Sequence, residues 1–304
     1  MKKYIVTSCF LIAIGLLLWY LISTKPEATS SIQFSMLDIG QGDSLLLRTP
    51  DHITILIDTG AGHQVVDALS NAMPWNDHHI DYLLLTHPDL DHYGGAQWIL
   101  DRYTVGQILY NGDEVNGSDG FRKLLGDIRA RNIPLRAVHQ GEQFRWASGI
   151  RWKLLWPPVQ YKAPSTNAGC VVSKISWGRE DILLPCDLPS EQEAIMMRQV
   201  DVSAEILKAG HHGSKYSSAT DFLAAVNPSW CLISAGRDNR YGHPKPAAVI
   251  RLRRTGCQVL STIDQGTVQL AISSTSIDYL SPTDHRFLGL PMGPLLAILN
   301  PLYH

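Results

Sequence analysis

The stretch Thr86–His92, written THPDLDH, places two histidines and two aspartates within six positions. It directly follows the apolar run Tyr82–Leu85, which is typical of a buried strand. Loops at strand ends hold polar side chains on a rigid scaffold, and imidazole and carboxylate groups suit zinc, manganese and iron. The stretch therefore predicts a metal site, with the ligand-type residues His87, Asp89, Asp91 and His92.

An alternative for this stretch is a proline turn followed by an aspartate-capped helix, with the histidines in solvent. Capping accounts for one aspartate and leaves the other three groups unexplained. We therefore expect a metal site, and a pair of ions could be held a few ångströms apart by such a cluster.

Further ligand candidates also follow apolar runs. Asp187 follows 182–185, and His211 and His212 follow 206–210. His243 lies in the loop RYGHP. A single histidine of this kind is more often structural, but the recurrence at strand ends favours function. The other histidines lie in polar loops and are expected at the surface: His52, His63, His78, His79, His139, His285 and His304.

Short apolar runs bounded by turn residues alternate with helical patterns in both halves of the chain. We expect two mixed α/β halves whose sheets pack together with helices outside. The expected strands are 32–37, 44–48, 53–57, 82–85, 107–110, 151–156, 170–177, 181–185, 204–209, 230–235, 258–261 and 267–273. The expected helices are 65–73, 95–103, 120–131, 190–199, 218–226 and 246–255.

The 304 residues are 45% hydrophobic and 18% charged, which allows a sizeable core. The formal net charge of −2 gives no global basic field of the kind that drives nonspecific nucleic-acid binding. Any charge that binds phosphate must therefore be local.

The N-terminal segment Tyr4–Thr24 is uncharged and 21 residues long, enough to cross ~30 Å of hydrocarbon. Lys2 and Lys3 precede it and would stay cytoplasmic. Because no clear cleavage site follows, we expect a membrane anchor rather than a removed signal peptide, with secretion as the alternative. The expected division is an anchor with linker at 1–30, a catalytic domain at 31–280 outside the cytoplasm, and an apolar tail of unknown role at 281–304.

Six motifs stand in the order found in a known family: MLDIGQGDSLLL, ILIDTG, LLLTHPDLDHYGG, LLPCDL, LKAGHHGS and NRYGHP. From Phe34 to about Thr267 the chain resembles the metallo-β-lactamase superfamily, and within it the ComEC-like competence proteins of DNA uptake. The resemblance implies an α/β (α+β) fold, a four-layer αββα sandwich, and two divalent metal ions.

The resemblance also implies roles for single residues. His87 and Asp89 would bind one ion, and Asp91 and His92 the other. Asp187 would bridge both ions. His211 and His243 would complete the site, with His212 a close alternative to His211. Asp58 would orient the ligand loop as an outer carboxylate. Asp89 replaces a histidine common in the superfamily, which makes manganese a competitor to zinc. Asn167 lies where another histidine is common and would contact substrate.

Cysteine usage also departs from the family at Cys186, where glycine is usual. Cys170 and Cys186 are symmetric about Gly178, so a hairpin there would set them opposite each other. We hypothesise a disulfide between them in an oxidising compartment. A buried inert thiol or a soft metal ligand at Cys186 are the alternatives. Cys231 and Cys257 are expected to be core residues.

The sequence offers no nucleophile elbow, so we expect a metal-bound hydroxide as the nucleophile. Asp91, His212 and His243 are the expected catalytic residues, and either histidine could protonate the leaving group. Cations on the motif loops suit a phosphodiester, although a solvated surface is the alternative for them: Lys208, Lys215, Arg237, Arg240 and Lys245. Of these, Lys215 and Arg240 are the candidate substrate contacts, with Asn167.

The expected function is a membrane-anchored phosphodiesterase outside the cytoplasm, a nuclease acting on DNA with the competence machinery as a partner. One alternative is a small-ester hydrolase of the lactonase, β-lactamase or phosphorylcholine esterase type. Another is a noncatalytic binding module that uses metal only for structure.

Overall fold

The computed structural model describes residues 31–280. The predicted anchor in residues 1–30 and the predicted tail in residues 281–304 lie outside this range. Among the helices of residues 31–280, none has both the length and the apolar character that crossing a bilayer requires.

The strands of the described range, in chain order, are β1 (Ile32–Met36), β2 (Leu45–Arg48), β3 (Thr54–Ile57), β4 (His79–Leu85), β5 (Thr104–Tyr110), β6 (Leu135–Ala137), β7 (Gln143–Arg145), β8 (Arg151–Trp156), β9 (Val172–Trp177), β10 (Glu180–Leu184), β11 (Ile206–Lys208), β12 (Trp230–Ile233), β13 (Gln258–Ser261), β14 (Val268–Ile272) and β15 (Ile277–Leu280). They form two sheets. The first has the order β15-β14-β1-β2-β3-β4-β5-β6, and the second has the order β13-β12-β11-β10-β9-β8-β7.

The helices of the same range are α1 (Gln64–Ala72), α2 (Leu90–Tyr93), α3 (Ala96–Leu100), α4 (Asp119–Ala130), α5 (Ser190–Met196), α6 (Thr220–Val226), α7 (Pro246–Arg254) and α8 (Thr262–Gln265). Single 3₁₀ turns span Asn167–Gly169 and Gly210–Gly213. Ser118 caps α4 by accepting the Phe121 N–H, and proline at the first position of α7 needs no N–H partner.

Alternating side chains divide the core into three apolar layers. In β4, Leu84 packs in the cluster between the two sheets, while Leu83 packs in the cluster under the helices of the first sheet. In β11, Ile206 lies between the sheets and Leu207 lies under the helices of the second sheet. Burial of each such side chain stabilises the fold by about 1.5–3 kcal/mol. The resulting αββα sandwich is the architecture that the resemblance implied.

Each sheet is antiparallel on one side and parallel on the other. β3, β4 and β5 run parallel in the first sheet, and β10, β11 and β12 run parallel in the second. The carboxyl ends of these strands lead into the loops that carry the ligand candidates. Functional groups from both sheets can therefore meet at one edge of the sandwich.

The predicted strands and helices are found, with shifts at their ends, but three strands and the two short helices α2 and α8 were missed. β6, β7 and β15 are short edge strands with weak patterns. The two-half division is also incomplete, because β14, from the end of the domain, pairs with β1 in the first sheet. The register sets Phe34 opposite Leu270, and both side chains are buried between the sheets.

Two disulfides lie within residues 31–280. The hypothesised bond joins Cys170 and Cys186, whose Cα atoms are 6.4 Å apart, and the β9–β10 hairpin turns at Gly178 as expected. A thiolate metal ligand at Cys186 is therefore wrong. Cys231 and Cys257 are buried core residues as predicted, and they also form a disulfide that was not predicted. Cys231 on β12 and Cys257 before the adjacent β13 bring their Cα atoms within 5.9 Å and form the second bond.

Candidate metal centre

Asp58 holds the ligand loop from beneath. It follows β3 in a left-handed conformation, with φ of 60°, and its side chain is 1% exposed. The Thr86 N–H donates to Oδ1 at 2.8 Å, and the Thr86 hydroxyl donates to Oδ2 at 2.7 Å. Nδ1 of His92 lies 2.7 Å from the same Oδ2. Because a carboxylate only accepts, His92 carries its proton on Nδ1 and keeps Nε2 free.

Thr86 orients the neighbouring histidine in a similar way. Its hydroxyl lies 2.9 Å from Nδ1 of His87. Since that hydroxyl already donates to Asp58, it accepts from Nδ1–H of His87. Nε2 of His87 is then the nitrogen available to a ligand.

The loop enters α2 at Leu90 without help from a capping side chain. Asp89 occupies the cap position, but its carboxylate makes no capping hydrogen bond. Oδ2 of Asp89 instead lies 3.6 Å from Nε2 of His87. The alternative of an aspartate-capped helix with histidines in solvent is therefore wrong, because no aspartate side chain caps α2 and the side chains of His87 and His92 are 0% exposed.

Asp187 comes from the second sheet and faces the histidines of the first. Its Oδ2 lies 3.3 Å from Nε2 of His92 and 3.4 Å from Nε2 of His212. Nε2 of His211 is 3.5 Å from the same oxygen. The side chain is 3% exposed, so this carboxylate is enclosed by imidazoles.

His211 and His212 both adopt left-handed backbone conformations, with φ of 50° and 55°. Such strain costs on the order of 1–3 kcal/mol per residue and is common at functional sites. Nδ1–H of His212 donates to the Ser234 carbonyl at 3.0 Å, and Nε2 lies 3.5 Å from Oδ2 of Asp91. The His212 side chain is 1% exposed, whereas that of His211 is 30% exposed. The structure thus places His212 inside the cluster and His211 at its rim.

His243 lies farther out than the other candidates. Its ring stacks on Tyr241 at an interplanar angle of 14°, and its centroid is 5.6 Å from that of His211. Burial, followed by the nearby His211 and His212, lowers the pKa of His243 to about 4. Its imidazole is therefore neutral near pH 7.

The nitrogen and oxygen atoms that face the centre and could bind a metal ion lack hydrogen-bond partners. They are Nε2 of His87, Nε2 of His92, Nε2 of His212 and Oδ1 of Asp187. Buried polar atoms without partners are rare in folded proteins because each is costly. Four overlapping groups of the described residues have ligand atoms within 4.8 Å of one another: His87, His92 and Asp187; Asp91, His92 and His212; Asp43, Asp187 and His212; and Asp43, Asp58 and His92. This nitrogen and oxygen donor set fits divalent metal ions.

The carboxylates of the centre remain ionised. Burial raises the pKa of Asp91, but the adjacent imidazole of His212 and that of His92 outweigh it and bring the pKa to about 2. Burial also opposes ionisation of Asp187, yet His212 and His92 hold its pKa well below the usual range. A negative, enclosed centre of this kind attracts cations.

Asp43 was not predicted to belong to the centre, and Lys208 was predicted to lie in a different environment. Lys208 was expected to face a substrate or solvent, but its side chain is fully buried and forms an ion pair with Asp43. With the histidines neutral, as metal ligands must be, five carboxylates and this one ammonium leave four negative charges at the centre, the number that two divalent ions neutralise: Asp43, Asp58, Asp89, Asp91, Asp187 and Lys208. A lysine at the end of the apolar run 204–209 was the available signal.

The candidate substrate contacts lie around the centre. Lys215 and Arg240 are exposed, and each cationic head lies 4.8 Å from the ring centroid of the following tyrosine. Their loops touch each other, because the Lys245 N–H donates to the Gly213 carbonyl at 2.9 Å. Asn167 lies in a 3₁₀ turn and accepts from the Thr166 hydroxyl at 3.4 Å.

Two other cations of the motif loops are engaged with the backbone. Nε of Arg237 donates to the Ile263 carbonyl at 3.0 Å, and Nζ of Lys245 donates to the Tyr241 carbonyl at 2.6 Å. Of the surface histidines, His52, His63, His78 and His79 are exposed as predicted, and His139 is half-buried.

Comparison with known proteins identifies similar sequences. Residues 37–229 match the metallo-beta-lactamase superfamily. ComE operon protein 3 of Bacillus subtilis is 30% identical over 274 residues, which are 82% of this chain and 34% of that protein. Competence protein ComA of Neisseria gonorrhoeae is 31% identical over 266 residues, which are 84% of this chain and 35% of that protein. The chain thus spans about a third of the length of these curated relatives.

Solved structures share the fold at low sequence identity. Tm1679, a metal-dependent hydrolase of the beta-lactamase superfamily, superposes with a TM-score of 0.52 at 12% identity, covering 80% of this chain and 99% of that one. CmlA, a diiron beta-hydroxylase from Streptomyces venezuelae, gives a TM-score of 0.54 at 15% identity over 80% of this chain and 54% of that one.

Proposed function

Because the chain belongs to the metallo-β-lactamase superfamily, we propose that it is a hydrolase that holds two divalent metal ions, zinc or manganese, and cleaves phosphodiester bonds outside the cytoplasm. The observation that carries the proposal is the convergence of buried, unpartnered donor atoms from both sheets: Nε2 of His87, His92 and His212 with Oδ1 of Asp187. The net negative charge of the centre equals in magnitude the total positive charge of two such ions.

The donor positions support a division of ligands between the ions. His87 and Asp89 would hold one ion, and Asp91, His92 and His212 would hold the other. Asp187 faces both sets and would bridge them. Bound divalent ions would supply Lewis acidity for hydrolysis. Asp58 and Thr86 keep the Nε2 atoms of His92 and His87 aimed at the centre.

The residues at the rim support contact with substrate. His211 is partly exposed 3.5 Å from Asp187, and His243 lies beyond it. A neutral His243 imidazole can accept a proton or complete the metal site, and it is a weak proton donor near pH 7. Asn167 lies beside Thr166, which also contacts Asp89, so Asn167 can reach a substrate held at the first ion.

The exposed cations support an anionic substrate. Lys215 and Arg240 flank the two histidine loops, and guanidinium groups bind phosphate oxygens with strong charge-assisted hydrogen bonds. A simple lactone carries no anionic group for these cations to bind. The competence-protein relatives support DNA as the phosphodiester and the DNA-uptake machinery as the partner, with a nuclease as the specific activity.

The two disulfides support a location outside the cytoplasm, because such bonds persist in oxidising compartments. Anchoring by the apolar segment within residues 1–30 remains part of the proposal. It follows from the length and composition of that segment alone.

The test uses the purified full chain, stripped with chelator and restored with manganese or zinc. Substrates are single-stranded DNA, double-stranded DNA, a bis-aryl phosphate, a lactone and a β-lactam. We expect metal-dependent cleavage of DNA and of the bis-aryl phosphate, and loss of both in Asp91→Ala with Asp278→Ala, an exposed aspartate of β15, as the control. Cleavage of lactone or β-lactam alone would establish a small-ester hydrolase. Bound metal without turnover of any substrate would establish a binding module.

A further inference from the structure

Asp43 and Lys208 form a buried ion pair that joins the two sheets behind the metal centre. Asp43 lies in the loop between β1 and β2, and Lys208 ends β11. The side chains are 2% and 0% exposed. Removing two charges from water costs several kcal/mol per ion even after relaxation, so a buried pair is weak evidence of stabilisation. Its position points to another role.

Both members of the pair lie next to residues whose side chains face the centre. Oδ1 of Asp43 lies 3.2 Å from Nδ1 of His212, and Nζ of Lys208 lies 3.7 Å from Oδ1 of Asp187. Nε2 of His212 faces Asp91 and Asp187 on the opposite side of the ring. Asp43 therefore lies behind His212 on the Nδ1 side of the ring, where the Ser234 carbonyl accepts the Nδ1 proton and the Asp43 carboxylate adds a charge contact.

The main chain of Asp43 is tied to the same frame. Its N–H donates to the Asp91 carbonyl at 3.2 Å, and its own carbonyl accepts from Gly60 at 2.9 Å. Gly42 before it has φ of +124°, and a Cβ there would lie 2.2 Å from the Asp91 carbonyl oxygen. Only glycine fits this close approach. The Ser234 hydroxyl donates to the Gly42 carbonyl at 2.7 Å.

Asp43 lies close enough to Asp187 and His212 to share an ion with them, but its two oxygens face other groups. Its Oδ2 is held by Lys208, and its Oδ1 lies on the Nδ1 side of His212. That nitrogen already donates to the Ser234 carbonyl. Oδ1 has no hydrogen-bond partner, but it faces Nδ1 of His212, whereas Asp91 lies on the Nε2 side of the ring.

We propose that Asp43 and Lys208 are positioning residues of the metal centre, which fix His212 and Asp187 from behind and set the charge of the centre to match two divalent ions. This inference rests on the proposed metal site. Asp43 helps to keep Nε2 of His212 aimed at the ions. Lys208 neutralises the buried negative charge of Asp43.

The test compares Asp43→Asn, Lys208→Met and the double variant with wild type. Lys174→Met is the matched control, because Lys174 is also buried and pairs with Asp181 at 2.9 Å and Asp201 at 2.8 Å. Zn²⁺ affinity is measured by chelator competition, Co²⁺ coordination by visible absorption, and the stability of the metal-free chain by thermal unfolding. Asp43→Asn keeps the shape of the side chain, so of the three variants it is the one expected to perturb folding least.

We expect Asp43→Asn to weaken the binding of one Zn²⁺ about 10- to 100-fold and to alter the Co²⁺ spectrum. The double variant removes both charges, so its metal-free stability should exceed that of Lys208→Met, while its Zn²⁺ affinity and Co²⁺ spectrum stay altered. Lys174→Met should keep wild-type affinity and spectrum.

A double variant with wild-type Zn²⁺ affinity and Co²⁺ spectrum overturns the inference, because the pair would then be structural only. That result leaves the proposed metal site standing. Wild-type protein that binds neither ion overturns the metal site and this inference together.

Discussion

Nε2 of His92 lies 3.3 Å from Oδ2 of Asp187, although His92 follows a strand of the first sheet and Asp187 follows a strand of the second. The centre therefore exists only when the two sheets are packed together. Since the ligands do not converge in the unfolded chain, metal binding and folding of residues 31–280 should be coupled.

Asp187→Asn should remove this coupling. At a metal concentration 100 times Kd, wild-type protein should gain about 2.7 kcal/mol, and its Tm should rise. The variant keeps the shape of the side chain but loses the charge that faces three imidazoles, so its Tm should respond little. Differential scanning calorimetry with and without Zn²⁺ measures this. An equal rise in both proteins would show that Asp187 is not a ligand.

Asp58→Ala should destabilise the metal-free protein. It leaves the N–H and hydroxyl of Thr86 and Nδ1–H of His92 without an acceptor, and each buried group left unsatisfied costs about 1–3 kcal/mol. Urea denaturation should show a loss of at least about 2 kcal/mol relative to Asp278→Ala. Unchanged stability would mean that Asp58 does not hold the loop.

The two disulfides should differ in their effect on metal binding. Replacing either pair with serine should cost roughly 3 kcal/mol, because the sequence separations are similar at 16 and 26 residues. Only the loss of Cys170–Cys186 should also weaken Zn²⁺ binding, because Cys186 precedes Asp187. Urea denaturation and chelator competition test both statements. Equal Zn²⁺ affinity in the two serine variants would contradict the second.

Glu193 should make stability fall as pH rises. Burial raises its pKa from 4.5 to about 7, although it accepts the N–H groups of Ser218 and Ala219. Between these pH values the unfolded chain loses the proton while the folded chain keeps it, so the free energy of unfolding decreases. The full effect is on the order of 3 kcal/mol.

Urea denaturation of metal-free protein at pH 5 and pH 8 measures this effect. Glu193→Gln should flatten the dependence, while Glu191→Gln, an exposed residue on the same helix, should not. The same slope in Glu193→Gln and wild type would refute the assignment.

Arg240→Ala should raise KM for a bis-aryl phosphate about tenfold, since a hydrogen bond to a charged group contributes about 1.5–3 kcal/mol. kcat should change less, because Arg240 lies outside the donor cluster. Arg254→Ala, at the far end of α7, is the control. Steady-state kinetics with matched metal loading measures both constants. An unchanged KM would remove Arg240 from the substrate site.

Much of the centre could be predicted because each of its residues follows an apolar strand in the sequence. His87 and His92 lie in one loop after an apolar strand, and Asp187 stands in the same context. Cys170 and Cys186 could be paired because one hairpin relates them. In each case the pattern of a strand and its turn determines where the side chains lie.

The remaining features depend on packing between distant elements. Asp43 and Lys208 are 165 positions apart in the chain, and only the contact between the sheets shows that they pair. Cys231 and Cys257 meet because β12 and β13 are adjacent. His212 is more deeply buried than His211 because of a left-handed turn, and the motif LKAGHHGS does not reveal that turn.

We propose that loops from two sheets hold a pair of divalent ions. The metal content of the protein tests this proposal most directly. The purified full chain is stripped with chelator, resupplied with Zn²⁺ or Mn²⁺, dialysed and measured by elemental analysis. We expect about two ions per chain in the wild type and a reduced content in Asp187→Asn. A wild-type chain that retains no ion after resupply would contradict it.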